Sequence, residues 1–132
     1  MLTVLFACVH NAGRSQMASA WFNALANPSK ARAASAGTQP ADRVHPVVVD
    51  AMREVGLEVS TARPRRLTAS LAESAQWLIT MGCGDACPVV HGVKRDDWAL
   101  DDPAGLPLTR VRSIRDEIKQ RVEAFVDREQ LR

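Results

Sequence analysis

No run in this 132-residue chain is apolar for long enough to cross a bilayer, so no membrane partner is expected. The N-terminus carries no basic stretch ahead of its apolar segment, and no secretory signal is expected either. Charge of one sign is not in excess, and a net +2 is too little to argue for nucleic acid. Basic residues are dense at Arg63, Arg65 and Arg66 and along the last helix, whose charges read as a solvated face. Cysteine is scarce and odd in number, at three, which argues against the disulfide framework of a secreted protein. In a cytoplasmic chain, three cysteines point to catalytic, redox or metal chemistry. Tyrosine is absent altogether, and no internal repeat, low-complexity tract or linker interrupts the sequence. With 46% hydrophobic residues the chain can close a core, so residues 1–132 are expected to form one domain, cytoplasmic and by default monomeric.

What is present is concentrated in Val4-Leu5-Phe6-Ala7-Cys8-Val9-His10-Asn11-Ala12-Gly13-Arg14-Ser15-Gln16-Met17-Ala18. An apolar run ends in a cysteine, an arginine and a serine follow, and a helical pattern begins. This reads as strand, loop and helix. Such a loop can wrap backbone N–H groups around a tetrahedral oxyanion, here from Val9 to Ser15. Arg14 can add a planar fork that matches two of its oxygens. Cys8 would then form the floor of the anion site, under the positive end of a helix dipole, a setting that favours the nucleophilic thiolate.

The rest of the chain alternates strands and helices. Residues 2–6 are expected to form a strand buried on both faces, and residues 15–25 a helix with Met17, Ala18, Trp21, Phe22 and Leu25 on its apolar stripe. Residues 31–36 make a weak second strand. Pro46 suits a helix's first turn, and Gly56 the residue just past its end. A loop at residues 61–66, a short helix at 70–75, a third strand at 77–81 and a loop at 82–92 follow. Residues 98–100 are the candidate fourth strand, and a helix over residues 109–128 buries Val111, Ile114, Ile118, Val122 and Phe125. The alternation implies an α/β sandwich around a mainly parallel sheet, with ligands beyond the strands' carboxyl ends. Cys8, residues 80–83 and Asp102 each follow an expected strand and so share that edge.

A second constellation lies in Met81-Gly82-Cys83-Gly84-Asp85-Ala86-Cys87-Pro88. One helical turn would bring Cys83 and Cys87 within disulfide reach. The alternatives are a zinc set of Cys83, Cys87, His91 and His10, or two inert loop thiols. Other residues carry paired readings. Asn11 suits a left-handed loop position and can brace it. Ser15 is either a helix cap or a hydrogen-bond partner of Cys8. His10 reads as a residue of the pocket rim, Trp98 as packing, and Asp102 as an acid or a turn former.

Cys8-x5-Arg14-Ser15 after a first strand resembles the phosphate loop of the low-molecular-weight protein tyrosine phosphatases and of the arsenate reductases that share their fold. The likeness runs nearly end to end, through Ser35-Ala36-Gly37 and the segment from Arg112 to Ile118. It implies a three-layer sandwich with a four-stranded parallel sheet in the order 2-1-3-4. Gly-Cys-Gly-Asp-Ala-Cys-Pro resembles the redox loop of three-cysteine arsenate reductases. The phosphatases lack it and usually carry two tyrosines after the Asp-Pro, where this chain has Ala104-Gly105.

The resemblance implies reduction of arsenate to arsenite. Cys8 attacks the arsenic atom, Arg14 and the loop amides hold the oxyanion, and Asp102 protonates the departing oxygen. Cys83 then attacks Cys8, and Cys87 attacks Cys83 to leave a surface disulfide for an external thiol reductant such as thioredoxin. No bound cofactor is expected. The alternatives are an aryl phosphatase working through a phosphocysteine, and a thiol-based or zinc-bearing sensor. Some arsenate reductases of this fold bind potassium beside the loop through acidic residues. Here Ser19 and the basic run around Arg65 stand where those carboxylates are sought, so no metal site is expected.

Overall fold

Seven consecutive residues, Leu2–Cys8, form β1, and the computed structural model buries them on both faces from Val4 onward. The structure describes residues 1–83 and 86–132; Gly84 and Asp85, read above as part of a redox loop, lie outside the described residues. The remaining elements are α1 (Arg14–Leu25), β2 (Ala31–Gly37), α2 (Pro46–Arg53), α3 (Ala69–Glu73), β3 (Trp77–Thr80), β4 (Lys94–Asp97) and α4 (Leu108–Arg128). The four strands are all parallel, in the order β2-β1-β3-β4. The order 2-1-3-4 puts β1 at the centre, so the loop after it opens at the middle of the sheet's carboxyl edge.

Alternation along β1 divides the interior. Val4, Phe6 and Cys8 join the larger apolar cluster with α1, α2 and α4. Leu5 and Ala7 join a smaller one with Ala36, Leu67, Ala72 of α3, Leu78, Cys83 and Cys87. Among the described residues the three layers are therefore unequal, with α1, α2 and α4 on one face and the five-residue α3 on the other. All five apolar residues expected to line the last helix are buried, and Phe125 stacks edge-on to Trp77 with ring centroids 5.1 Å apart.

The fourth strand corrects the sequence reading. It is Lys94–Asp97 rather than residues 98–100. β4 pairs with β3 along one side only and is half exposed, so Lys-Arg-Asp-Asp is tolerated there and no apolar run marks it. The apolar signal at Trp98 belongs instead to a side chain that turns into the core. Its ring lies 5.7 Å from that of Phe6, and its Nε1–H donates to Asp96 Oδ2 at 3.1 Å.

A polar clasp ties α2 to α4. Arg115, 8% exposed, donates to the Ala51 carbonyl at 2.9 Å and to Glu54 Oε1 at 2.9 Å. Arg112 adds a forked pair of bonds, from Nε to Glu54 Oε1 at 2.9 Å and from Nη2 to Oε2 at 2.6 Å. Hydrogen bonds from Arg112 first, and then from Arg115, pull the Glu54 pKa down to about 2 against the opposing cost of desolvation. A carboxylate held below its ordinary range stabilises the fold above that range and loses the contribution as pH falls toward the depressed value. The thermal midpoint is therefore expected to drop between the ordinary glutamate range and pH 2. Glu54→Gln should lower the midpoint by a few degrees at neutral pH and flatten the acid drop. Calorimetric scans across that range check both effects.

Candidate active site

The loop between β1 and α1 turns its carbonyls outward. The Cys8 carbonyl accepts from Thr38 N–H at 3.1 Å, Val9 from Gln39 at 2.8 Å, His10 from Ala41 at 2.9 Å and Ala12 from His45 at 2.9 Å. The Asn11 carbonyl accepts from Gln16 Nε2 at 3.0 Å. Five successive carbonyls are thus drawn away by residue 16 and the segment 38–45. Among the described residues, no N–H from residues 10 to 13 donates within the protein. Asn11 takes a left-handed conformation, with φ of 50°, that lets the loop curl. Unpaired amides curled ahead of a helix N-terminus form a nest for a tetrahedral anion.

Cys8 is 2% exposed at the end of β1, with its Sγ 2.8 Å from Ser15 Oγ. Asn11 Nδ2 donates to the same hydroxyl at 2.8 Å. Because Ser15 Oγ accepts from Asn11, its own proton is free to point at the Cys8 sulfur and stabilise a thiolate there. Of the two readings of Ser15, the bond to Cys8 is realised. Gly13, not Ser15, precedes the helix, and no side chain caps it. Asn11 is the brace expected: its Oδ1 also accepts from the Arg65 main-chain N–H at 3.0 Å. Arg65 Nε in turn donates to the Ser35 carbonyl at 3.0 Å. Both of these oxygens beside the loop accept from N–H groups of the same residue, Arg65.

Arg14 opens α1 and is 7% exposed. Its Nη1 donates to the Leu100 carbonyl at 3.2 Å, and its Nη2 lies 3.8 Å from Asp102 Oδ2. Of the two readings of Asp102, the turn is realised. Its Oδ1 accepts from Ala104 N–H at 3.0 Å, forming a turn, while the other oxygen faces Arg14. The neighbouring Pro103 is buried against the phosphate loop. A Cβ on Gly13 would lie 2.6 Å from Pro103 Cγ, so only glycine lets the Asp102 loop rest there. His10 is half-buried.

Cys83 and Cys87 are joined in a disulfide, with Cα atoms 5.6 Å apart, and Cys8 is a free thiol. With the two loop sulfurs bonded to each other, the pair is a disulfide here and not two separate loop thiols. No His/Cys/Asp/Glu cluster able to hold a metal occurs among the described residues. The bridge does not lie on the surface as expected. Cys83 is 7% and Cys87 3% exposed, and both belong to the apolar cluster of Leu5, Ala7 and Leu78. Arg95 holds the far end of the loop, donating to the Pro88 carbonyl at 3.2 Å and to Asp97 Oδ1 at 3.3 Å. Thr80 Oγ1 also donates to that carboxylate. The Thr80 bond first, and then Arg95, holds the Asp97 carboxyl below its ordinary range.

The sequence reading missed Gln16, Leu100, the segment 38–45 and the Arg65 main chain as parts of the site. Most of them act through backbone atoms, which leave no residue-type signal.

A free cysteine under a nest of amides, with an arginine at the helix entry, defines a phosphate-loop protein of the cysteine-dependent class. The chain belongs to the low molecular weight phosphotyrosine protein phosphatase family, whose model matches residues 3–132. Within it the chain resembles proteins named as arsenate reductases. It is 40% identical over 126 residues to a Halobacterium salinarum protein provisionally given that name, covering 92% of this chain and 89% of that one. It is 34% identical over 130 residues to arsenate reductase 2 of Staphylococcus haemolyticus, covering 96% and 97%. Among solved structures, the thioredoxin-dependent arsenate reductase of Corynebacterium glutamicum superposes with a TM-score of 0.85 at 38% identity. That match covers 98% of this chain and 62% of the longer Corynebacterium chain.

Proposed function

We propose that this protein reduces arsenate to arsenite through a relay of Cys8, Cys83 and Cys87, and that a dithiol protein such as thioredoxin reduces the product disulfide. Arsenate enters the nest of residues 9–15, with Arg14 on two of its oxygens. The Cys8 thiolate forms a bond to arsenic, and an oxygen departs as water with a proton from Asp102. The Cys83 thiolate then attacks Cys8 sulfur. A sulfur–sulfur bond forms, the sulfur–arsenic bond breaks, and its electron pair leaves with arsenic as arsenite. The Cys87 thiolate attacks Cys83 and returns Cys8 as a thiolate. The external dithiol supplies the two electrons that reopen Cys83–Cys87. Residues 1–132 act as one domain in the cytoplasm, and no bound cofactor takes part.

The observation that carries this reading is the Cys83–Cys87 bridge, which begins three residues beyond the end of β3. A phosphocysteine is discharged by water, so hydrolysis makes no use of a bridged thiol pair beside the phosphate loop. The loop itself does not distinguish arsenate from phosphate, so slow hydrolysis of aryl phosphates is expected as a side activity. Steady-state turnover of arsenate with thioredoxin, thioredoxin reductase and NADPH, run beside para-nitrophenyl phosphate hydrolysis, tests the assignment. Arsenate-dependent NADPH oxidation supports the reductase. Hydrolysis alone supports the phosphatase.

The role of Arg65 leads to a second expectation. Its N–H groups occupy Asn11 Oδ1 and the Ser35 carbonyl, so no monovalent cation is needed to brace the loop. Exchanging sodium for potassium at constant ionic strength should leave the KM for arsenate unchanged. A potassium-specific drop in KM contradicts this.

A further inference from the structure

The loop that carries the disulfide meets the oxyanion site through a residue without a side chain. Gly82 is the second residue after β3 and is left-handed, with φ of 95°. A Cβ built on it would collide with Nη1 of Arg14 and lie 3.1 Å from Cζ. The same Nη1 donates to the Leu100 carbonyl, and Nη2 faces Asp102. The guanidinium thus sits in a slot bounded by Gly82, Leu100 and Asp102. The Arg14 residue is only 7% exposed, so a displaced guanidinium must push against these neighbours.

We propose that Gly82 is a positioning residue for Arg14, so that the redox loop and the oxyanion cradle share one arginine seat. The missing side chain leaves room for the planar fork. A methyl group there pushes the guanidinium away from the geometry in which two N–H groups serve one tetrahedral anion. Gly82 directly precedes Cys83, so the movement that carries Cys83 to Cys8 also turns the peptide that walls the guanidinium. Arg14 is taken here as the oxyanion's ligand, as in the function proposed above, whereas arsenate itself is not required.

Gly92 provides the control. It lies in the segment between β3 and β4, has φ of 86°, and a Cβ on it would meet nothing within 4 Å. Alanine at Gly92 therefore introduces backbone strain without a collision. The experiment measures para-nitrophenyl phosphate hydrolysis and its inhibition by inorganic phosphate. The variants are Gly82→Ala, Gly92→Ala, Arg14→Ala and Gly82→Ala/Arg14→Ala, all pre-reduced. Gly92→Ala should stay within about twofold of wild type. Gly82→Ala should lose about tenfold or more in kcat/KM and weaken the phosphate inhibition constant by a similar factor, through the lost charge-assisted bonds. In the Arg14→Ala background, Gly82→Ala should cost nothing further.

Phosphate inhibition of Gly82→Ala equal to that of Gly92→Ala overturns the role of Gly82, and so do losses that simply add in the double variant. If Arg14→Ala leaves phosphate inhibition intact, the assignment of Arg14 fails first and that of Gly82 with it. The wild type provides a test that needs no substitution, should Gly82→Ala not fold. Calorimetric titration with inorganic phosphate should give different dissociation constants for the enzyme with Cys83–Cys87 closed and reduced. Equal constants overturn the coupling.

Discussion

Cys8→Ser should abolish arsenate reduction and aryl phosphate hydrolysis together, each by at least about a thousandfold, because both reactions begin at that sulfur. The loss should be confined to chemistry. The amides of residues 10–13 and the Arg14 guanidinium do not depend on the sulfur, so the variant should still bind phosphate or arsenate. Ser15 and Asn11 remain bonded to each other, and a serine hydroxyl at position 8 can take the place of the thiol beside Ser15. Equilibrium titration with phosphate, beside the two rate assays, separates loss of the nucleophile from loss of the site. Reduction above about a tenth of the wild-type rate would move the first step to another residue.

Cys83→Ser divides the two activities. Hydrolysis needs Cys8, Arg14, Asp102 and water, and should persist. Arsenate reduction needs a second thiolate on Cys8 sulfur and should fall to background, with the enzyme stalled at its first arsenic adduct. The structure sets a demand on this step. Cys8 packs with Val4 and Phe6 on one side of the sheet, whereas Cys83 and Cys87 pack with Leu5, Ala7 and Leu78 on the other. Cys83 must therefore leave an apolar seat to reach Cys8, and the closed bridge must leave it again to meet a reductant. Arg95 and Asp97 hold one end of the loop, so the movement begins at the glycine end, by Gly82. Loss of hydrolysis in Cys83→Ser along with reduction would contradict the division and make Cys83 part of the oxyanion site itself.

The centre of the site was legible in the sequence because its signals are local. An apolar run ending in Cys8, an arginine six positions on and a helical stripe from Met17 lie within one strand–loop–helix unit, and each residue acts close to where it stands. The sheet order was legible only through family likeness, since periodicity does not order strands. β4 was misplaced because an edge strand needs no apolar face, and Lys94–Asp97 carries none. The brace on Asn11 was hidden for another reason. It comes from the main-chain N–H of Arg65, 54 positions away, and any residue other than proline could supply it. The outward clamp by residues 38–45 is likewise made by backbone groups. The cysteine pair was visible but its burial was not, because Leu5 and Ala7 reach it from β1, a strand distant in sequence.

The relay as a whole is tested most directly by Cys87→Ser given excess arsenate and thioredoxin, beside the wild type, which should turn over continuously under the same conditions. Without Cys87 nothing can clear the bond formed between Cys8 and Cys83, so the account predicts about one arsenite per enzyme and then silence. Peptide mapping after alkylation of free thiols should find a Cys8–Cys83 bridge. Continued turnover by Cys87→Ser with thioredoxin alone, or a stoichiometric burst that leaves Cys8 unbridged, would contradict it.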